Sequence, residues 1–326
     1  MTKGLAVKAL WLAIGVAGGL TIALTYLNTQ AVADQDCLKK YSLTVSTVDC
    51  GQYEESLGKI NALDQIFNEK TAQYVREGKA QRVSVWVRDL TTRQWAASNE
   101  FETYSPASLL KLPLAIAYYK FSELDHELLN RSITYEPQTG DEELLEFSHF
   151  TKGTTLTPGQ NYQVSELIER TLVYSDNAAA LALYRRMDPA FYKQVLLELG
   201  IEVPADEGTI NYINVKSYAN IYRILYNASY LHRDHSQKIL EILTRTTFKG
   251  IAEPIPSSVT VAHKFGERTV STKDKQVLSQ QLLDCGIVYK NDGNNPYTIC
   301  IMTEGKDVEA LLSIIKEISK FAYEYL

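Results

Sequence analysis

A chain of 326 residues, 45% hydrophobic and 22% charged, can bury a large core as one domain or two interleaved ones, which excludes a disordered protein. The net charge of −6 leaves no basic stripe for nucleic acid, so no nucleic-acid partner is expected. No Cys-x-x-Cys or His-x-x-x-His spacing occurs, so no metal and no cofactor is expected.

In chain order, Lys3 and Lys8 precede an uncharged run, 9–27, and Asp34 and Asp36 follow it. That length suits a membrane span, and the charge asymmetry places the N-terminus inside and the body outside. Ala31-Val32-Ala33 also reads as a signal-peptidase site, so 1–33 is expected to be a membrane anchor or a cleaved signal peptide. Both readings export the body. Four cysteines fit that compartment. Cys37 and Cys50 bracket a polar loop in an extracytoplasmic linker, 34–56. Cys285 and Cys300 flank two strand-like runs joined by a turn at 291–296. Of three possible connectivities, 37–50 and 285–300 are expected.

Helical periodicity runs over 57–78 (Ile60, Leu63, Ile66, Phe67), and alternation over 82–90 (Val83, Val85, Val87) predicts a strand paired with 94–98. From 121 to 247 helices dominate, at 164–174, 178–187, 189–199, 215–227 and 236–244, with no convincing strand pair. Strands return at 258–263, 286–289 and 298–302, and an amphipathic helix closes the chain at 307–323. The expected fold class is α+β. An antiparallel sheet is built from both chain ends and flanked by helices (57–121 with 248–326), and an all-helical domain (122–247) is inserted.

The chemistry centres on Ser108-Leu-Leu-Lys111, at the start of a run that is apolar nearly all round. On a helix, residues three apart share a face, and a lysine in apolar surroundings loses its proton readily. That gives a serine nucleophile its base. Ser-x-x-Lys alone is weak, since it recurs at Ser56/Lys59 and Ser313/Lys316 in charged stretches. Pro113 is expected to weaken the helix just past its first turn. Further on, Ser175-Asp176-Asn177 precedes an alanine-rich helix; taken alone it is also an ordinary N-cap run. His263-Lys264-Phe265-Gly266 is expected to end a late strand, with His263 a packing residue.

This order of motifs resembles the serine β-lactamases and penicillin-binding proteins, with their Ser-x-x-Lys, Ser-Asp-Asn and Lys-Thr-Gly set. The likeness is closest to class A and runs from about residue 57 to the C-terminus. It implies an exported serine hydrolase acting on a β-lactam or a peptidoglycan-like peptide, expected to be a monomer. Ser108 would be the nucleophile and Lys111 its base, with Ser175 a proton relay held by Lys264. Asn177, Phe265, Gly266 and Glu267 would line the substrate site, with an oxyanion hole from the N–H groups of Ser108 and Glu267. Phe147 or Phe150 would supply a cleft-wall aromatic.

Two departures bear on function. Phe265 stands where the family has Thr or Ser, removing a hydroxyl that helps hold a substrate carboxylate. The family's Glu-x-x-Leu-Asn loop, whose Glu activates the deacylating water, has no counterpart; Glu202, Asp206 and Glu207 lie in that region without the motif. Three functions therefore stand open: a β-lactamase, a D-alanyl-D-alanine peptidase-like enzyme that keeps its acyl group, and a catalytically inactive envelope binding protein.

Overall fold

The structure is a computed structural model describing residues 43–44, 58–141, 149–150, 156–206, 208–272, 274 and 276–326. The chain divides into two units, Met1–Tyr53 and Glu54–Leu326, and all described residues but 43–44 belong to the second. The expected anchor, the Cys37–Cys50 pair, Phe147 and Glu207 lie outside the described residues. Among the described residues no helix is long and apolar enough to cross a membrane.

Helix α1 (Asn61–Arg76) buries Leu63, Phe67, Thr71 and Tyr74, the one-face spacing of a helix laid on a core. It precedes β1 (Arg82–Asp89) and β2 (Trp95–Ser98). The long strands β5 (Thr260–Ser271), β6 (Val277–Lys290) and β7 (Asn295–Gly305) come from the other end of the chain. The five form one antiparallel sheet in the order β2-β1-β7-β6-β5, so chain ends meet where β1 pairs with β7. The N-terminal α1 and the C-terminal helix α8 (Val308–Tyr325) pack with Val83, Val85, Val87, Val261 and Ile299 in one hydrophobic layer. Cys285 and Cys300 are cross-strand partners in β6 and β7 and form a disulfide.

Between β2 and β5 come α2 (Lys111–Ser122), α3 (Val164–Val173), α4 (Asn177–Tyr184), α5 (Pro189–Glu198), α6 (Val215–Tyr226) and α7 (Arg233–Leu243). The region is not wholly helical: β3 (Ser132–Thr134) pairs with β4 (Asn161–Gln163). Strands of three residues are too short to leave an alternation visible in sequence. The β5–β6 hairpin also runs well past the expected ends. Lys264-Phe-Gly therefore sits inside a strand, not at its end.

Buried all round, α2 is the central helix, with every residue from Lys111 to Tyr119 inside. Residues Ala107–Leu110 form a 3-10 turn, and the α-register restarts at Lys111. Pro113 thus falls in the first α-helical turn, where an N–H has no intrahelical partner to lose. The carbonyl of Leu109, four residues before Pro113, takes a hydrogen bond from the Tyr218 hydroxyl at 2.8 Å. The expected weakening is therefore absorbed by a side chain from α6.

Candidate active site

The turn carrying Ser108 is fixed from several sides. Tyr104 is buried, exchanges backbone hydrogen bonds with Ile213, and shares a hydroxyl contact with Ser84 at 3.1 Å. Ser105 N–H donates to Gln281 Oε1 at 2.9 Å. Ala107 has φ +44°, a left-handed conformation that a β-carbon penalises, immediately before the serine. The free edge of β5 lies against this turn. A β-carbon on Gly266 would stand 3.0 Å from Leu109 Cγ, 3.2 Å from Pro106 O and 3.3 Å from Leu109 N. Only glycine permits so close an approach of strand and turn.

Residue i+3 of a 3-10 turn eclipses residue i, which aligns Lys111 with Ser108. Lys111 is buried, and its Nζ donates to Ser175 O at 2.6 Å, Ser175 Oγ at 3.1 Å and Asn177 Oδ1 at 2.6 Å. Burial pulls its pKa down to about 7, against a smaller opposing pull from Asp176. Lys264, fully buried in β5, donates to Ser175 Oγ at 2.9 Å and to Phe265 O at 2.8 Å. Its pKa is driven well below the ordinary lysine value, by burial first and by the neighbouring Lys111 charge second. Two amines thus converge on one hydroxyl.

Ser175-Asp176-Asn177 fills both of its sequence readings at once. Asp176 caps α4, accepting from the N–H groups of Ala178 at 2.9 Å and Ala179 at 3.1 Å. Ser175, at φ +54°, turns its carbonyl and its hydroxyl toward Lys111. A non-glycine residue held there costs about 1–3 kcal/mol. The cap on one side and two lysines on the other supply the compensating bonds.

Strand alternation sorts the Lys264 segment. Lys264 and Gly266 face the Ser108 turn and Ser175. Phe265 leaves the strand on the other face, 2% exposed and stacked on Phe248 at 4.2 Å within the layer beneath α8, yet its ring stays against the Lys264 ammonium, with Nζ 4.3 Å from the centroid. The ring is thus buried between the core layer and the Lys264 ammonium. Glu267 also points away, its carboxylate accepting the N–H groups of His149 at 2.9 Å and Phe150 at 3.2 Å. Only its backbone remains available to the cleft. Phe150 packs edge-on against Phe248 at 5.2 Å, on that same side. His263 is buried as expected, with Nδ1 2.9 Å from Asp284 Oδ1; Asp284 also accepts the Ile251 N–H at 2.8 Å. This pair was missed in the sequence, though a lone acid in the apolar run Leu282-Leu283-Asp284-Cys285 was its signal.

Among the described residues, Glu202 and Asp206 are exposed. Asp206 is occupied by its own loop, accepting from Gly208 N at 3.0 Å and Thr209 Oγ1 at 3.1 Å. Lys111 and Asn177 instead border a cavity of about 610 Å³ with no carboxylate among the described residues of its lining. No cluster of three metal-ligating side chains exists among the described residues.

A sheet from both chain ends, a buried central helix and amines gathered at the sheet edge define the α+β fold of β-lactamases and penicillin-binding proteins. The chain belongs to the beta-lactamase enzyme family, whose family model matches residues 65–326. Solved structures agree at the level of the fold. PBP-A is 19% identical with a TM-score of 0.68, covering 84% of this chain and 98% of its own. The TLA-3 extended-spectrum β-lactamase is 19% identical with a TM-score of 0.67, covering 80% and 98%. A β-lactamase from Chitinophaga pinensis is 23% identical with a TM-score of 0.66, covering 81% and 99%. No curated protein matches the chain. The chain is thus a β-lactamase-like hydrolase of the amide-cleaving type.

Proposed function

We propose that Ser108 is acylated by a β-lactam or a related amide and releases the acyl group slowly. The observation that carries this reading is the meeting of Lys111, Lys264 and Asn177 around Ser175, beside the Ser108 turn. Lys111, neutral above about pH 7, takes the Ser108 proton as Oγ bonds to the carbonyl carbon. The C–N bond then breaks, and the leaving nitrogen takes a proton from the Ser175 hydroxyl, which is resupplied by the amines on it. The Ser108 N–H and the Glu267 N–H serve the oxyanion. Asn177 positions Lys111 and meets a substrate amide. PBP-A, a structural neighbour, has been captured in mutant form as an acyl-enzyme with penicillin-G, which supports acylation on this fold.

Slow release is supported by the sequence, which lacks the Glu-x-x-Leu-Asn loop, and by the cavity beside Lys111, whose lining among the described residues holds no carboxylate to activate water. This favours a penicillin-binding or D-alanyl-D-alanine peptidase-like role over fast lactam hydrolysis. We further propose that the protein lies outside the cytoplasmic membrane, tethered through 9–27 or released after Ala33, as a monomer; the Cys285–Cys300 disulfide supports an oxidising compartment.

The test is intact-mass analysis after exposure to a fluorescent penicillin. One stable adduct, absent from Ser108→Ala, is the expected result. A folded protein that takes no label at high probe concentration overturns acylation and leaves the binding-protein reading. Rapid nitrocefin turnover overturns slow release.

A further inference from the structure

The 610 Å³ cavity beside Lys111 lies within the size range of small-molecule sites. Its described walls are mainly apolar: Leu114 from α2, Leu181 and Tyr184 from α4, Tyr192 and Leu196 from α5, and Val203 from the loop after α5. Tyr192 has already spent its hydroxyl on the Leu110 carbonyl, at 3.2 Å. Apart from the hydroxyls of Tyr184, Tyr192 and Tyr212, the polar side chains among the described lining stand in two places. Lys111 and Asn177 mark the end next to the Ser108 turn, and exposed Lys193 stands at the rim.

That gradient matches a molecule with a carbonyl head and an apolar tail. A charged or peptide-like group lodged there would lose its hydration without gaining partners. A hydrocarbon chain loses nothing and covers apolar wall, at about a fourfold gain in affinity per buried methylene. Tyr184 and Val203, 55% and 45% exposed, leave the tail an open path to solvent.

We propose that this cavity binds an unbranched apolar acyl chain carried on the carbonyl that acylates Ser108, making chain length a determinant of substrate choice. The inference rests on acylation at Ser108. When the Ser108 Oγ–carbon bond forms and the bond to the leaving group breaks, the Ser108 proton passes through Lys111 to the departing group and the chain remains in the cavity.

The test uses p-nitrophenyl acetate, butyrate, hexanoate and octanoate with the full chain, reading acylation by intact mass. Efficiency is expected to rise about fourfold per methylene from butyrate to octanoate. Val203→Asp, an exposed position that does not threaten folding, and Leu181→Asp should flatten that series while leaving the acetate rate within about twofold. Calorimetric binding of octanoate to Ser108→Ala gives a readout that needs no chemistry, and Val203→Asp should abolish it. Acetate acylation with a flat chain-length series and no octanoate binding overturns the inference and leaves acylation standing. Octanoate binding without any ester acylation keeps the cavity as a chain site and overturns the Ser108 step. Failure of both readouts overturns both.

Discussion

Lys111 and Lys264 share one acceptor, Ser175 Oγ, at 3.1 and 2.9 Å, although they come from a helix and a strand more than a hundred residues apart in sequence. Two ammonium groups at such range, in a water-poor site, repel strongly. Burial pushes both toward the neutral form, and the Lys111 charge adds to the push on Lys264, so the pair holds a base ready at neutral pH.

Acylation should therefore rise with pH through about 7 and level off above, as Lys111 loses its proton. Rates of penicillin labelling from pH 5.5 to 9 check this; a flat profile removes Lys111 as base. Lys111→Arg, permanently charged, should lose about 10²–10⁴ in rate.

The same shift has a stability signature. A lysine whose folded pKa lies below its unfolded value leaves the unfolded chain holding more protons between those values, so stability rises with pH there. For Lys111 the window opens at about pH 7 and runs toward the ordinary lysine value of 10.5. Between pH 7 and 9 the wild-type chain should gain up to about 1.4 kcal/mol per pH unit relative to Lys111→Met, by urea denaturation at each pH. Equal slopes would contradict it.

Gly266→Ala presses a methyl group on the Pro106 carbonyl and the Leu109 amide, backbone atoms that cannot swing aside. The Ser108 turn must then move off β5. We expect acylation to fall about 100-fold, with secondary structure kept by circular dichroism. Unchanged labelling would mean the turn has slack that the packing does not suggest.

Phe265→Thr restores the family's hydroxyl by composition but not by position. The ring it removes is stacked on Phe248 in the core, so stability should drop by about 3–5 kcal/mol in denaturant. Affinity for carboxylate-bearing lactams should not improve. Tighter binding with stability intact would place the ring in the cleft after all.

Reduction of Cys285–Cys300, or Cys285→Ser with Cys300→Ser, opens a link 15 residues apart in sequence. The chain-entropy estimate for such a loop is about 3 kcal/mol. Since β6 and β7 already pair along their length, a smaller loss is expected, read as a lowered melting temperature with the fold retained.

Most elements were legible because their burial is one-sided. Leu63, Phe67 and Tyr74 on α1, and Val83, Val85 and Val87 on β1, repeat at the helix and strand periods. The motif serines and lysines were legible for the opposite reason, as polar residues bordering apolar runs. The three-residue β3 and β4 left no period to find. The far half of the β5–β6 hairpin was obscured by polar residues such as Glu267, Arg268, Gln280 and Gln281.

The sequence by itself determined that a sheet would be assembled from both ends around a buried helix, and that Ser108, Lys111, Ser175, Asn177 and Lys264 would be present in the family's order. Only the tertiary structure decided that Phe265 turns into the core, because β5 is covered on both faces and either side could have taken an apolar ring. It decided, too, that the two lysines meet on one hydroxyl and that, among the described residues, apolar side chains rather than carboxylates line the cavity beside Lys111. These depend on distances between segments far apart in the chain, which local pattern does not encode.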